Sequence, residues 1–186
     1  MEGDPEYMKS RNEQRDISNI TRLHIGCGGD FKSDYINVDL YDTSVCDIQD
    51  DVVKLSQFPD NFATEIFHMH LLEHLDRAEG LEAIKNWYRV LAPGGVLVFE
   101  CPEADETYRM WLEMDYHKRW EQVENLWHGY QMQIWGSQDT PGQQHKIIYD
   151  KERVYRILTE VGFHDISVEN INDRWLKENM HVVAYK

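Results

Sequence analysis

Several features that would settle a function class are missing from this chain. It has no run of about 18 apolar residues and no basic start followed by an apolar stretch, so neither a membrane span nor a secretion signal is expected, and the expected compartment is the cytoplasm. Cysteine is scarce and scattered. Cys27, Cys46 and Cys101 form no CxxC pair, which argues against a zinc ribbon or a redox dithiol and leaves buried thiols in a reducing environment. Clustered positive charge is missing as well. Against 34 Asp and Glu stand 19 Lys and Arg, a formal net charge of -15, and a surface of that sign repels phosphate backbones and anionic membranes. Neither nucleic acid nor a membrane is the expected partner. No linker rich in Gly, Pro or Ser interrupts the 186 residues, so one domain is expected.

What is present reads as a polar N-terminal arm over 1–20 and a single domain over 21–186. Short apolar runs that end in Gly or Asp alternate with segments of helical period, the pattern of an α/β sheet. Strands are expected at 21–27, 35–41, "DVVKL" or the loop before it, 64–70, 95–102, 164–171 and 181–186. Helices are expected at 78–92 and 150–162. In the first, Leu81, Ile84, Trp87, Tyr88 and Leu91 make the apolar face and "PGG" ends it. In the second, Val154, Ile157, Leu158 and Val161 form the stripe and Gly162 closes it. Residues 103–149, rich in aromatics, interrupt the alternation as an insertion.

The strongest local signal is "LHIGCGGDF". A strand that ends in Gly26, Gly28 and Gly29 lets the backbone turn sharply and approach a ligand without Cβ interference. The next strand delivers Asp39, whose carboxylate can accept both hydrogen bonds of a ribose diol. A nicotinamide or flavin fingerprint fits poorly, because Phe31 stands at the third glycine position and Asp39 follows Gly28 by 11 residues where about 20 are usual. Taken alone, the glycines also fit a structural turn.

In order, "LHIGCGG", "INVDL", "DIQDDV", "FPDNFATEIFHMHLLEHL" and "RVLAPGGVLVFECPE" resemble the motif series of class I S-adenosylmethionine-dependent methyltransferases, most of all the small type 11 group. The resemblance runs from Arg22 to about Glu103 and continues more weakly into "HGYQ" and the last helix and hairpin. It implies a Rossmann-like three-layer αβα sandwich around a mostly parallel seven-stranded sheet of order 3-2-1-4-5-7-6, with strand 7 antiparallel. It also implies S-adenosyl-L-methionine as cofactor and a small-molecule acceptor as partner. By the same resemblance, Gly26, Cys27 and Gly28 would line the methionine and ribose portion, and Asp39, with Leu40 beside it, would take the ribose hydroxyls. Asp51 and Val52 would meet the adenine, with Asp50 as an alternative to Asp51, and Met69, His70 and Leu71 would lie beneath the cofactor. One departure stands out. The stretch from Gly29 to Tyr35 is too short for the usual first crossover helix, and a single helical turn is expected in its place.

"FHMHLLEH" holds three histidines and a glutamate. His70 and His74 have the i, i+4 spacing of helical zinc pairs, but no obvious residue completes the set, so no metal is expected. On a strand over 64–70, Ile66, His68 and His70 share one face. His68 then reads as a core histidine with a local hydrogen bond, and His70 as the strand end at the cofactor side. Methyl transfer to oxygen needs a base, for which His70 is the first candidate and His145 in "GQQHKIIY" the second. Glu73 and His74, beginning the next helical turn, together with Trp127, His128 and Tyr130, are candidate acceptor contacts; for each, a packing or capping role is the competing reading. The function expected is methyl transfer to a small molecule or glycan-type metabolite. A non-catalytic cofactor-binding or regulatory domain and, more remotely, a metal-dependent hydrolase remain as alternatives.

Overall fold

The structure, a computed structural model, describes residues 15–41, 44–117, 130–137, 142–171 and 179–186. Trp127 and His128 lie outside the described residues, as does most of the N-terminal arm. Seven strands form one sheet: β1 Arg22–Ile25, β2 Ile36–Asp39, β3 Ile48–Gln49, β4 Ala63–Met69, β5 Leu91–Pro102, β6 His164–Asn170 and β7 Asn179–Tyr185. Their order is β3-β2-β1-β4-β5-β7-β6, and β7 runs antiparallel to both of its neighbours. This is the Rossmann-like α/β arrangement expected from the motif order. Among the described residues the α-helices are α1 Arg77–Val90, α2 Ala104–Glu113, α3 Tyr130–Trp135 and α4 Lys151–Val161.

β1 and β2 sit inside the sheet and need residues that tolerate burial, which "LHI" and "INVD" supply; every residue of β2 is buried. β3 lies two residues before "DVVKL", not in it. The amides of Lys54 and Leu55 both bond the Asp51 carbonyl, so Val52 and Leu55 enter the core from a turn.

α1 begins at a capping box. The Asp76 carboxylate accepts from the Ala78 and Glu79 amides, and Glu79 returns a bond to the Asp76 amide. The helix ends at Val90, before the expected Ala92, and buries Gly80, Ala83, Ile84, Trp87 and Val90; Leu81, counted in the stripe, is exposed. β5 already pairs Leu91 with Ala63, then bulges over "APGG" before Val96 meets Glu65. Pro93, unable to donate to a ladder, is accommodated in that bulge. α4 ends as expected at Gly162, in the left-handed conformation with φ 117°.

The two faces of the sheet are covered differently. On one, Trp87 of α1 packs against His68, whose ring stacks on Phe99 with centroids 4.7 Å apart. On the other, His24 and Phe67 lie under Tyr35 and Lys32 of the β1–β2 connection. That connection contains no helical turn. Two β-turns replace it, closed by Asp30 N to the Cys27 carbonyl at 2.8 Å and Tyr35 N to the Lys32 carbonyl at 3.3 Å. Their buried polar atoms are satisfied by side chains. Asn37 Oδ1 accepts from the Lys32 amide and contacts His24 Nδ1, and Asp47 holds the Asn37 amide and Arg15.

Candidate active site

At the C-terminal ends of β1, β2 and β4 opens a cavity of about 750 Å³, within the size range of cofactor pockets. One end is built by the glycine turn. Gly26 and Gly28 have φ of +62° and +52°, a region that L side chains avoid. A Cβ on Gly26 would fall 2.8 Å from Leu71 Cδ1, whereas one on Gly28 meets nothing within 4 Å and would project into open space. Asp39 closes the turn from β2: its Oδ2 accepts from the Gly28 amide at 2.8 Å and its Oδ1 from the Tyr41 amide at 3.0 Å. Leu40 lines the same wall.

The next wall is the 51–54 turn. Asp51 and Val52 line the cavity, while Asp50 is turned inward. Its Oδ1 accepts from the Asp51 amide and the Ser56 hydroxyl, and its Oδ2 from the Gln57 amide. Of the two aspartates left open by the sequence, Asp51 faces the cavity and Asp50 holds the turn that presents it. Three α1 side chains anchor this turn by its carbonyls. Trp87 Nε1 donates to Val52 O at 2.8 Å, Asn86 Nδ2 to Val53 O at 2.9 Å, and Arg89 to the carbonyls of Lys54, Leu55 and Phe58. Helical period marks Trp87 only as core and has no signal for a bond across 35 residues. Trp87→Phe is expected to lower stability by about 1–3 kcal/mol, because the Val52 carbonyl loses a buried donor; urea unfolding measures it. A change below about 0.5 kcal/mol, ordinary for an exposed substitution, would mean that this bond does not hold the wall.

The far end holds the histidines. His70 has left the strand: φ is +51°, and its amide makes a last ladder bond to Glu100 O at 2.9 Å. Its ring therefore does not follow the alternation that aligned it with His68, and it faces the cavity. Nδ1 lies 3.0 Å from Glu73 Oε1, and Nε2 lies 3.0 Å from the Asn179 side-chain amide on β7. Burial works against the charged imidazole, but the hydrogen bond and charge of Glu73, with Glu100 behind, outweigh it and raise the His70 pKa above its ordinary value. Glu73 is 1% exposed and sits in the 3₁₀ turn Leu72–His74. His74 lines the cavity. His68 is buried as expected, yet neither ring nitrogen has a hydrogen-bond partner among the described residues, which corrects the expectation of a local bond.

His145 arrives from the insertion. Residues 142–149 dock on the 3₁₀ turn through the amides of Lys146 and Ile147, both bonded to Glu73 O. At the base of the insertion Glu103 and Tyr149 form a parallel bridge. His145 Nδ1 meets Gln133 O of α3 at 2.8 Å, and Nε2 points at Glu73 Oε1 from 4.0 Å. Its ring faces Glu73, not the cavity. Cys27 and Met69 also stay off the lining: Cys27 is buried beneath the glycine turn and Met69 belongs to β4. Tyr130 begins α3.

A family model described as "Methyltransferase domain" matches residues 8–168. Comparison with curated protein sequences returns no match. Among solved structures, a SAM-dependent methyltransferase from Archaeoglobus fulgidus is similar at 18% identity, covering 99% of this chain and 95% of its own, with a TM-score of 0.60. A SAM-dependent methyltransferase from Methanosarcina mazei is 17% identical over 89% of this chain and 91% of its own, with a TM-score of 0.56. The 1,6-didemethyltoxoflavin-N1-methyltransferase of Burkholderia thailandensis, bound to 1,6-didemethyltoxoflavin and S-adenosylhomocysteine, is 11% identical over 89% of this chain and 70% of its own, with a TM-score of 0.58.

Proposed function

The chain belongs to the methyltransferase-domain family, and on that premise we propose that it transfers a methyl group from S-adenosyl-L-methionine to a small molecule or glycan-type metabolite. The observation that carries this reading is one cavity lined by the Gly26 and Gly28 turn, Asp39, Asp51 and Val52 at one end and His70 and His74 at the other. The residues fit the cofactor. A side chain at Gly28 would fill the cradle, and each Asp39 oxygen keeps a lone pair for a ribose hydroxyl beside the amide it already accepts.

The bound sulfonium supplies an already activated methyl group. The chain's own residues then have to align the acceptor, exclude water and take up a proton when the acceptor is a hydroxyl. His70 is the cavity-facing group suited to the last task. With Nδ1–H donated to Glu73, its Nε2 carries the basic lone pair and now accepts from Asn179 Nδ2. Asn179 Oδ1 has no partner among the described residues. Asn179 has to release Nε2 before it can take the acceptor's proton; turned over, the same amide would then accept from the protonated Nε2.

Calorimetry with S-adenosylmethionine tests the cofactor half. Asp39→Ala is expected to weaken binding about 10- to 100-fold, the loss of a charge-assisted contact; an unchanged affinity would misplace the ribose. Release of S-adenosylhomocysteine across a panel of hydroxyl- and amine-bearing small molecules tests the transfer half. Binding without release from any of them would favour the non-catalytic reading.

A further inference from the structure

We propose that Glu73, His74 and His145 form a binding site for one divalent d-block cation of the zinc class. The sequence offered histidines near residue 70 and no completing ligand; folding brings His145 to them. One ligand atom from each of the three residues lies within 4.8 Å of the other two, and the rings of His74 and His145 meet edge to face with centroids 4.8 Å apart.

The tautomers are set by carbonyls. His74 Nδ1 lies 3.2 Å from Gln144 O, and His145 Nδ1 lies 2.8 Å from Gln133 O. A carbonyl can only accept, so in each neutral ring Nδ1 carries the hydrogen and Nε2 presents a lone pair. Histidines that hold metals are fixed in this way by outer carbonyl or carboxylate partners. The third residue supplies an independent observation. Glu73 is 1% exposed; its Oε1 accepts from His70, and its Oε2 has no partner among the described residues. His145 Nε2 faces this carboxylate from 4.0 Å, so two electron-pair donors oppose each other in a buried place. That arrangement is costly by itself and becomes favourable around a cation.

Two imidazoles and a carboxylate suit zinc, with bonds of about 2.0–2.2 Å that set ligand atoms roughly 3.4 Å apart. Separations of up to 4.8 Å would have to close by about 1.4 Å to reach that value on binding. His74 lines the cavity, so a cation held by these three residues would sit beside it and keep a coordination position for an outside ligand. An oxygen of the methyl acceptor is the chemistry that position would take, a point that rests on the methyltransferase reading. Cation binding itself does not rest on it.

The test uses the full chain, stripped with a chelator and titrated with zinc in the absence of S-adenosylmethionine. The expected result is one zinc per chain. His74→Ala should weaken it by more than the about 10- to 100-fold that losing an outer partner costs, and Glu73→Gln, which keeps the side-chain shape, should do the same. Cobalt substitution should give the intense visible bands of a four-coordinate site in wild type alone. His74 is half-buried, so its variant is expected to fold, and thermal unfolding verifies that. Equal zinc affinity in wild type and His74→Ala, or binding well below one per chain, overturns the proposal and leaves the cofactor reading untouched.

Discussion

His70→Asn is expected to lower kcat by about 10²- to 10⁴-fold, the usual contribution of a positioned general base, and to leave S-adenosylmethionine affinity within about threefold of wild type, under 0.7 kcal/mol. Asparagine is the replacement of choice because His70 sits at φ +51°, and Asn tolerates the left-handed region that most side chains avoid. The substitution thus removes the imidazole and keeps the backbone. The measurement is S-adenosylhomocysteine release with a hydroxyl acceptor from the panel, together with the calorimetric affinity. A raised KM with kcat unchanged would show that His70 binds the acceptor equally in ground and transition states and takes no proton.

The second large effect concerns stability. His68 is completely buried, and that burial, reinforced by the nearby charges of His24 and His70, pushes its pKa down to about 3 from an ordinary 6.5. Between these values the unfolded chain binds a proton that the folded chain refuses. Stability attached to His68 is therefore complete above pH 6.5 and falls as the pH drops toward 3, by about 1.4 kcal/mol per pH unit. His68→Leu removes the titration and, with it, two ring nitrogens that have no partner among the described residues. The variant is expected to match or exceed wild-type stability at pH 7.5, since deleting an unsatisfied polar group offsets the lost stacking on Phe99. By pH 4.5 it should lead by about 3 kcal/mol. Chemical denaturation at both pH values decides; parallel stability curves for the two proteins would mean that His68 is not the titrating group.

The parts of the molecule legible in the sequence are those written locally. The glycine turn, the buried strand before it, Asp39 at the next strand end and the Gly162 cap each depend on a few adjacent residues. The strand order was implied by the resemblance of the motif series to class I methyltransferases, and the sheet has that order. Where the reading went astray, a partner distant in sequence decided the outcome. Of "DVVKL" and the loop before it, the loop holds the strand, because the 51–54 turn is held by carbonyl bonds from Trp87, Asn86 and Arg89. The Asp50 and Asp51 pair could not be separated until Ser56 and Gln57 occupied Asp50. His70 was assigned to a strand face by alternation, which holds only while φ stays negative. One local hint existed, since histidine is among the residues enriched at positive φ. The meeting of His145 with Glu73 had no local hint at all, because it depends on backbone bonds from Lys146 and Ile147 to Glu73.

The bridge between Glu103 and Tyr149 has a thermodynamic meaning. The two ends of the stretch between Glu103 and Tyr149 meet at this bridge, where the Ala104 amide donates to the Tyr149 carbonyl at 2.8 Å. To the rest of the domain this excursion is a closed ring, whose length enters the folding free energy only as a logarithm. Doubling it would cost about 0.6 kcal/mol. Added length is therefore cheap inside the ring, except in the stretch from Gly142 to Ile147, which lines the cavity and docks on Glu73. Insertions outside that stretch are expected to change stability by less than about 1 kcal/mol.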